Sequence, residues 1–580
     1  MKTGSTDVRR GDAAVLPARH RLLVVLATLA LVAAACGGDG DGGAAGDGDP
    51  ASQDAATSGT EPVDEGEPVA GGSITVAALA ETNSWLPGAA SWTAGAPIAY
   101  AIYDPLMALT ADGTVEPYLA ESLEPNDDLT EWTLTLREGV TFHDGTPVDA
   151  DAIKANFDDY LKVPTSSYAG QLEKVTSFEA TGDLTGVYTL EQGNAAFPDL
   201  LTFGAGMPFS PTAAAEMGED YGDNPVGAGP FKFVSWQRDN RLEVERYEDY
   251  WQEGMPYLDS ITFRPISDED SRLQSLMTGE VQAMDTWRPN TARQLVQAEE
   301  DGTIDLQMRI GNNSLGSIFN TLVPPLDDLR VRQGLVHAID QEGIIEVSGG
   351  GGFIPTTTQW FSEDSPWYSE AVAEAWPQYD PKLAQELLDE YVDDPQRSDG
   401  KAPGEPIAFE YTCTADASTA TRSEAYQAYW SQVGVEVELT QAEYAVWIAA
   451  VTGSPETDPP YQGDFESNCF SFGGDADPYT ILSARYGPVE TNPTNYSNYT
   501  SEAMDESLEI MRSSTSFDDR YAAVEAIMLD FAENVPGLYT GGTPIVIATT
   551  HDVHGVDGWV LPGGQRGAPG YRWGQAWMEQ

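Results

Sequence analysis

The stretch WTLTLREGVTFHDGTP, residues 132–147, is the most informative segment of this chain. Apolar residues alternate with polar ones from Trp132 to Leu136, and the alternation resumes from Val140 to Phe142 after a Glu-Gly turn. Alternation with a period of two is typical of half-buried β-strands. The segment therefore predicts a β-hairpin, with turns at Gly139 and Gly145.

A helix is predicted directly after this segment. Ile153, Phe157 and Tyr160 recur on one helical face, and Asp149 or Asp151 is placed to cap the first turn. The same pattern occurs later, where a helical run ends at Gly434 and an alternating strand follows it. Strands that alternate with capped helices indicate an α/β architecture.

Four further blocks follow in order along the chain. They read PVGAGPFKFVSWQRDNRLEVERYEDYWQEGMPYLDSITF (225–263), FNTLVPPLDDLRVRQGLVHAID (319–340), YDPKLAQELL (379–388), and GDF (463–465) followed by FGGDADP (472–478). With the first block, they closely resemble the family 5 extracellular solute-binding proteins of ABC importers, the dipeptide-, oligopeptide- and nickel-binding group. The resemblance covers most of residues 71–580.

This resemblance implies a two-lobed α/β fold of the periplasmic-binding-protein type (type II, cluster C), with an extra subdomain in the first lobe. Lobe 1 is expected to combine residues 71–315 with 545–580, and residues 110–225 are expected to form the extra subdomain. Lobe 2 is expected at residues 316–544. The family encloses its ligand between the lobes and passes it to a permease.

Composition agrees with a large folded protein and excludes one class of partner. The chain has 580 residues, of which 41% are hydrophobic, and 93 acidic against 29 basic groups give a net charge of −64. Nucleic acid is excluded as a partner, because no basic surface is available to neutralise phosphates. The acidity indicates a surface adapted to saline surroundings, where salt screens self-repulsion.

The N-terminus predicts export. Five basic residues precede an uncharged, mostly apolar run over residues 22–35, which is too short for a mature membrane span. Cys36 after Ala33-Ala34-Ala35 resembles the bacterial lipoprotein signal, although Ala33 stands where that signal usually has Leu, which leaves an ordinary cleaved signal as the alternative. We expect residues 1–35 to be removed, Cys36 to be lipidated, and the acidic segment 36–70 to form a flexible linker.

A lipidated Cys36 would place the protein outside the cell, anchored to the outer face of the cell membrane. The two remaining cysteines, Cys413 and Cys469, would then lie in an oxidising setting that favours a disulfide between them. Two separate buried thiols are the alternative.

The resemblance also points to acidic ligand residues. Peptide-binding relatives use an Asp after the Gly-Asp-Phe strand to hold the ligand's ammonium group. Here the matching positions are Asp475 first and Asp477 second, in a segment one residue shorter than the common spacing. A carboxylate facing a desolvated ammonium makes a charge-assisted contact. The alternative is that one of these residues caps the next helix.

Aromatic loop residues are the other ligand candidates, because flat apolar faces commonly enclose a bound peptide or sugar. The candidates after predicted strands or near the crossing between lobes are Trp85, Trp287, Trp360, Phe361, Phe472 and the polar Asn320. Packing in a core is the alternative for each tryptophan. Ser314 and Arg288 are weaker candidates.

Catalytic and metal-site patterns are weak. The five histidines include His551 and His554, whose spacing suits a metal but which have no third ligand nearby, and the sequence has no Gly-x-Ser-x-Gly motif. The resulting hypothesis is a non-enzymatic, monomeric receptor without a cofactor or metal, which delivers a short peptide to an ABC permease and its ATPase. An oligosaccharide or chelated nickel is the alternative ligand, and a secreted hydrolase is the alternative of another class.

Overall fold

The computed structural model describes residues 66–82, 84–87, 92–110, 113–160, 174–415, 417–452, 463–473, 477–489, 492, 494–560 and 570–579. The predicted signal segment and Cys36 lie outside these residues. None of the described helices is long and apolar enough to cross a membrane.

The strands are β1 (Ser73–Ala78), β2 (Met107–Leu109), β3 (Val115–Pro117), β4 (Ala120–Pro125), β5 (Glu131–Leu136), β6 (Val175–Ala180), β7 (Thr185–Leu190), β8 (Phe231–Gln237), β9 (Arg241–Arg246), β10 (Ser260–Pro265), β11 (Ala283–Thr286), β12 (Asp305–Phe319), β13 (Ala408–Thr414), β14 (Glu436–Ala442), β15 (Ser467–Gly473), β16 (Gly537–Thr549), β17 (Val553–His554) and β18 (Trp577–Met578).

The helices are α1 (Trp92–Ile102), α2 (Ala150–Tyr160), α3 (Phe197–Leu200), α4 (Pro211–Met217), α5 (Glu269–Met277), α6 (Pro289–Glu300), α7 (Leu329–His337), α8 (Gln341–Val347), α9 (Glu370–Ala375), α10 (Pro381–Val392), α11 (Ala417–Gln432), α12 (Tyr444–Thr452), α13 (Pro478–Tyr486), α14 (Glu502–Ser513) and α15 (Phe517–Asn534).

The main sheet has the strand order β14-β13-β15-β12-β16-β11-β1-β10-β9-β8. Strand β1 runs parallel to β10 and β11, and β13 runs parallel to β14 and β15, whereas β12 and β16 pair antiparallel in the middle. A separate antiparallel sheet has the order β4-β5-β7-β6. Parallel strands joined through helices confirm the predicted α/β class.

Buried apolar side chains gather into two large clusters. The first core draws on residues 74–287 and 545–576, and the second core draws on residues 318–539. A smaller cluster includes Leu276, Leu295 and Val546 and packs helices α5 and α6 against the sheet. Residues from both ends of the described chain thus meet in the first core.

The first sequence block folds differently from the predicted hairpin. Strand β5 pairs with β4 on one edge and β7 on the other, so neither edge is open to the residues after Gly139. Those residues instead turn back on themselves, and the Val148 N–H donates to the Val140 carbonyl at 3.0 Å. The predicted helix is confirmed as α2, and Asp149 accepts from the Ala152 N–H at 2.9 Å.

Close backbone approach explains the glycines of the second block. A Cβ at Gly227 would lie 2.1 Å from the Ile102 carbonyl oxygen, and one at Gly229 would lie 2.6 Å from the Ile102 carbonyl carbon. The Gly229 N–H donates to the same Ile102 oxygen at 2.8 Å. A side chain at either position would push the end of α1 away.

The Tyr-Trp pair of the same block surrounds a buried carboxyl. The Tyr250 hydroxyl and the Trp251 Nε1–H both donate to Asp104 Oδ2, at 2.8 and 2.7 Å. Burial raises the pKa of Asp104 to about 7, although both hydrogen bonds oppose that rise. The pair therefore holds the chain after α1 against the chain after β9.

The third and fourth blocks are helix starts held by polar contacts. Arg332 is buried and donates to the carbonyl oxygens of Leu326, Asp327 and Asn534. Aspartates cap the three helices that these blocks begin, namely Asp328 on α7, Asp340 on α8 and Asp380 on α10. The motifs thus fix the packing of the second core.

The two candidate disulfide cysteines lie in neighbouring strands. β13 pairs parallel with β15 through Tyr411 and Ser467, which places Cys413 beside Cys469 two residues further on. The two sulfur atoms are bonded, and both side chains are buried in the second core. The bond closes the chain between positions 56 residues apart.

We predict that replacing both cysteines by alanine lowers the free energy of unfolding by about 4 kcal/mol, because a loop of this length then gains freedom in the unfolded chain. Urea denaturation of the double variant against the wild type measures the loss. A reducing agent should lower the wild type's midpoint and leave the variant's unchanged. Equal midpoints for the two proteins without reductant would contradict the prediction.

Candidate functional site

Strands β12 and β16 connect the two cores. They pair from Asp305↔Thr549 to Ile318↔Gly537, with irregularities between Gly311 and Ser314 and between Leu315 and Gly316. Every residue of β16 is buried. One end of β16 contributes to the first core and the other end to the second. We call β12 and β16 the crossing strands.

Parallel strands from both sides end beside the middle of the crossing strands. Thr286, the last residue of β11, pairs with Val546 of β16. Gly473, the last residue of β15, pairs with Asn313 of β12. In open α/β sheets, ligands bind outside the carboxyl ends of the strands. The candidate site is therefore the region where the ends of β11 and β15 approach the crossing strands.

The predicted aromatic residues lie in the cores. Trp85, Trp360 and Phe361 are each 1% exposed, and Trp287 is 7% exposed. Trp85 meets Trp236 edge-on at 5.5 Å between ring centroids, and Trp360 meets Tyr486 in the same way at 5.6 Å. These rings pack against protein, which is the alternative that the sequence left open.

Phe472 and Asn320 are placed by backbone and amide contacts. The backbone of Phe472 in β15 pairs with Ser314 in β12, but the Phe472 side chain is not among those that the structure describes. Asn320 is fully buried, donates to the Phe465 carbonyl at 3.0 Å and accepts from the Asn498 amide at 3.1 Å. Its side chain ties three loops of the second core together.

The two candidate aspartates have different outcomes. Asp475 lies outside the described residues. Asp477 caps α13 by accepting from the Tyr479 N–H, and both of its oxygens accept from Arg520 Nη2 at 2.5 and 2.6 Å. Both charged side chains are 11% exposed. The structure thus gives Asp477 the helix-capping role and a buried ion pair.

The histidine pair is engaged in other contacts. The Nδ1 of His551 lies 2.9 Å from Asp305 Oδ1 and its Nε2 lies 3.0 Å from the Gly302 carbonyl oxygen, whereas His554 stacks on Trp577. These two acceptors raise the pKa of His551. Among the described residues, no group of three or more His, Cys, Asp or Glu is arranged to hold a metal ion.

Sequence reasoning missed Asp285. It is the partly exposed residue of the otherwise buried β11, one position before the carboxyl end of that strand. Burial raises its pKa to about 6, and the charge of the buried Arg272 opposes that rise. The sequence feature that could have revealed it is an acidic residue inside the short strand segment that precedes Trp287. Its carboxyl is a titrating group one residue before the end of β11.

A family comparison identifies the chain. The model of the bacterial extracellular solute-binding proteins, family 5 (Middle), matches residues 114–493, which is more than half of the chain. This chain belongs to that family. It is thus a family 5 substrate-binding protein of the ABC transporter type, as the sequence blocks predicted.

Curated relatives and solved structures agree with the family. The glutathione-binding protein GsiB of Salmonella paratyphi A (strain ATCC 9150 / SARB42) is 29% identical over 408 residues, which are 69% of this chain and 76% of the relative. The GsiB of Shigella flexneri is 30% identical over 371 residues, which are 61% of this chain and 67% of the relative.

Two solved structures share the fold of this family 5 protein. NikA from Brucella suis, in complex with Fe(III)-EDTA, has a TM-score of 0.73 at 21% identity and covers 88% of this chain and 100% of its own. DppA from Helicobacter pylori, in complex with the peptide STSA, has a TM-score of 0.70 at 22% identity and covers 88% and 99%. Both likenesses confirm the predicted periplasmic-binding-protein-like fold.

The raised pKa of Asp285 predicts a pH effect on stability. An unfolded Asp titrates near pH 3.9, so between about pH 4 and 6 the folded protein holds a proton that the unfolded chain releases. This contribution is complete below pH 4 and is lost as the pH rises to about 6. Asp285→Asn should remove this contribution. The slopes of the free energy of unfolding against pH should then differ between the two proteins by up to about 1.4 kcal/mol per pH unit.

Urea denaturation from pH 4 to 7 measures this difference. The substitution Glu138→Gln serves as a control for the loss of one carboxylate from an exposed position. If the free energies of unfolding of the wild type and Asp285→Asn differ by the same amount at every pH in this range, the Asp285 carboxyl titrates as in the unfolded chain and the prediction is wrong.

Proposed function

We propose that this protein captures a short peptide outside the cell membrane, closes its lobes around it and delivers it intact to an ABC permease. The proposal rests on the position of two strand ends. β11 ends beside β16 and β15 ends beside β12, so residues near these ends can supply ligand contacts from both cores. A ligand that binds the closed form more tightly shifts the protein toward that form.

The division into lobes follows the two cores. We assign residues 71–315 and 545–580 to lobe 1, with an extra subdomain at 110–225, and residues 316–544 to lobe 2. The membership of the first core, at 74–287 and 545–576, and of the second core, at 318–539, supports these bounds. Two strand segments between the lobes allow a hinge motion without breaking either core.

The peptide assignment draws on relatives and on charge. GsiB is a glutathione-binding protein, and glutathione is itself a tripeptide, while DppA was solved with the peptide STSA. Asp477 is already bound to Arg520, so we assign the ligand's ammonium group to Asp475. A buried ammonium that lost this partner would be an uncompensated charge, which is costly.

The cellular setting completes the proposal. We assign removal of residues 1–35, lipidation of Cys36 and a flexible linker at 36–70, so that a monomeric receptor stays at the outer face of the membrane beside its permease and the attached ATPase. Family members bind solutes outside the cytoplasm, and we infer that this one performs no chemistry on its ligand and needs no cofactor.

Calorimetry with a small panel tests the ligand class. The panel contains Ser-Thr-Ser-Ala, its N-acetylated form, glutathione, a cello-oligosaccharide and nickel with histidine. We expect the free tetrapeptide to bind at least tenfold more tightly than its N-acetylated form, because acetylation removes the ammonium charge. Binding of only the sugar or only the nickel chelate would replace the peptide assignment.

Asp475→Asn tests the residue within the same experiment. The variant should lose most of the preference for the free tetrapeptide over the N-acetylated one, because both peptides then meet a neutral side chain. Thermal unfolding of the variant, unchanged from the wild type, serves as the folding control. An undiminished preference in Asp475→Asn would show that another group holds the ammonium.

A further inference from the structure

A contact at the end of α14 joins the two cores at a place away from the crossing strands. The Ala195 N–H donates to the Arg512 carbonyl oxygen at 2.7 Å, and Arg512 Nη1 donates to the Gly193 carbonyl oxygen. Segment 193–195 leads into Phe197 of the first core, whereas α14 contributes Met511 to the second core. The contact therefore bridges parts of the molecule that are 319 residues apart in sequence.

The chemistry at the end of α14 suits such a bridge. The last four carbonyl groups of a helix lack partners inside it, and the Ala195 N–H satisfies the one at Arg512. The Arg512 side chain is 14% exposed and is held by Glu509, whose Oε2 accepts from Nε at 3.1 Å. A guanidinium oriented in this way makes a charge-assisted bond to the Gly193 carbonyl.

Segment 193–195 is fixed to the first core. A Cβ at Gly193 would lie 2.0 Å from the Asp128 carbonyl oxygen, so this close approach requires glycine. The Asn194 N–H donates to the Leu129 carbonyl at 3.1 Å, and Leu129 is buried. A movement of the second core away from the first must therefore break the bonds to Arg512.

A second arginine joins α14 to the neighbourhood of the candidate site. Arg520 binds both oxygens of Asp477, and its Nε donates to the Met511 carbonyl at 3.1 Å. Met511 directly precedes Arg512, and Asp477 follows two residues after Asp475 in the sequence. Arg520 thus links the start of α13, which follows β15 in the chain, to the helix end that holds the bridge.

We infer that Arg512 and segment 193–195 form a clasp that holds the two lobes together around the ligand, and that Arg520 positions this clasp relative to the ligand-side start of α13. The inference rests on the two-lobed capture proposed above. Because the closed form is proposed to bind the ligand more tightly than the open form, a weaker clasp lowers the apparent affinity by lowering the closed fraction.

Hydrogen exchange at two neighbouring amides tests the clasp without any ligand. The Ala195 N–H crosses to Arg512, whereas the Asn194 N–H stays inside the first core. Exchange is measured by mass spectrometry with single-residue fragmentation in the full chain. Arg512→Ala should raise the exchange rate of the Ala195 amide at least fivefold and leave that of Asn194 unchanged, and Arg512→Lys should restore part of the protection.

Arg246→Ala is the matched control. Arg246 also donates to backbone carbonyls, those of Leu258 and Tyr257, and to Asp259, but all of these partners lie in the same lobe as Arg246. Its removal should leave the Ala195 amide unchanged. Small-angle X-ray scattering should show a larger radius of gyration for ligand-free Arg512→Ala than for the wild type and for Arg246→Ala.

Arg520 is tested as a positioning residue. Arg520→Gln should raise the exchange rate of the Ala195 amide, and Arg520→Lys should restore part of the protection, because it keeps a cation beside Asp477. A purely local role in α13 would leave the Ala195 amide at its wild-type rate in both variants, which would remove Arg520 from the clasp.

Ligand binding gives a separate readout. Ser-Thr-Ser-Ala should slow the exchange of the Ala195 amide in the wild type, and its affinity should fall severalfold in Arg512→Ala. If no peptide binds while Arg512→Ala still exposes Ala195, the peptide assignment fails and the clasp stands. An Ala195 amide and a radius of gyration that are unchanged in Arg512→Ala overturn the clasp, whatever the ligand.

Discussion

The pairing of β12 with β16 is the interaction on which the rest of the structure depends. These strands alone, among the described elements, pair with each other over residues that serve both large cores. Every residue of β16 is buried, so its backbone groups must be paired and its register with β12 is strongly constrained. Irregularities between Gly311 and Ser314 and between Leu315 and Gly316 interrupt that register beside Asn313, where β15 ends.

The arginines of this acidic chain have a consistent use. With 29 basic residues against 93 acidic ones, each cation has many carboxylates available on the surface. Several arginines instead bind backbone carbonyl oxygens or buried acids, as Arg332, Arg512 and Arg520 do. Carbonyl ends of helices favour cations, and a buried bidentate pair is stable only when both charges are present. These contacts join helices of the second core to one another and, through Arg512, to a segment beside the first core.

The signature blocks that reveal the family are mainly structural. Gly227 and Gly229 allow a backbone contact, Tyr250 and Trp251 surround Asp104, and the aspartates of the later blocks cap helices. The signature therefore identifies the fold and the family.

The sequence by itself determined the α/β class, the family, the helix caps and which residues follow the strands, because these depend on local periodicity, capping chemistry and motif order. Only the tertiary structure decided that β5 pairs with β4 and β7 and that Trp85 and Trp360 pack inward. It also decided that Asp477 binds Arg520 and that Arg512 reaches Gly193. These outcomes depend on which distant segments become neighbours. The periodicity of one segment does not specify which other segment packs against it.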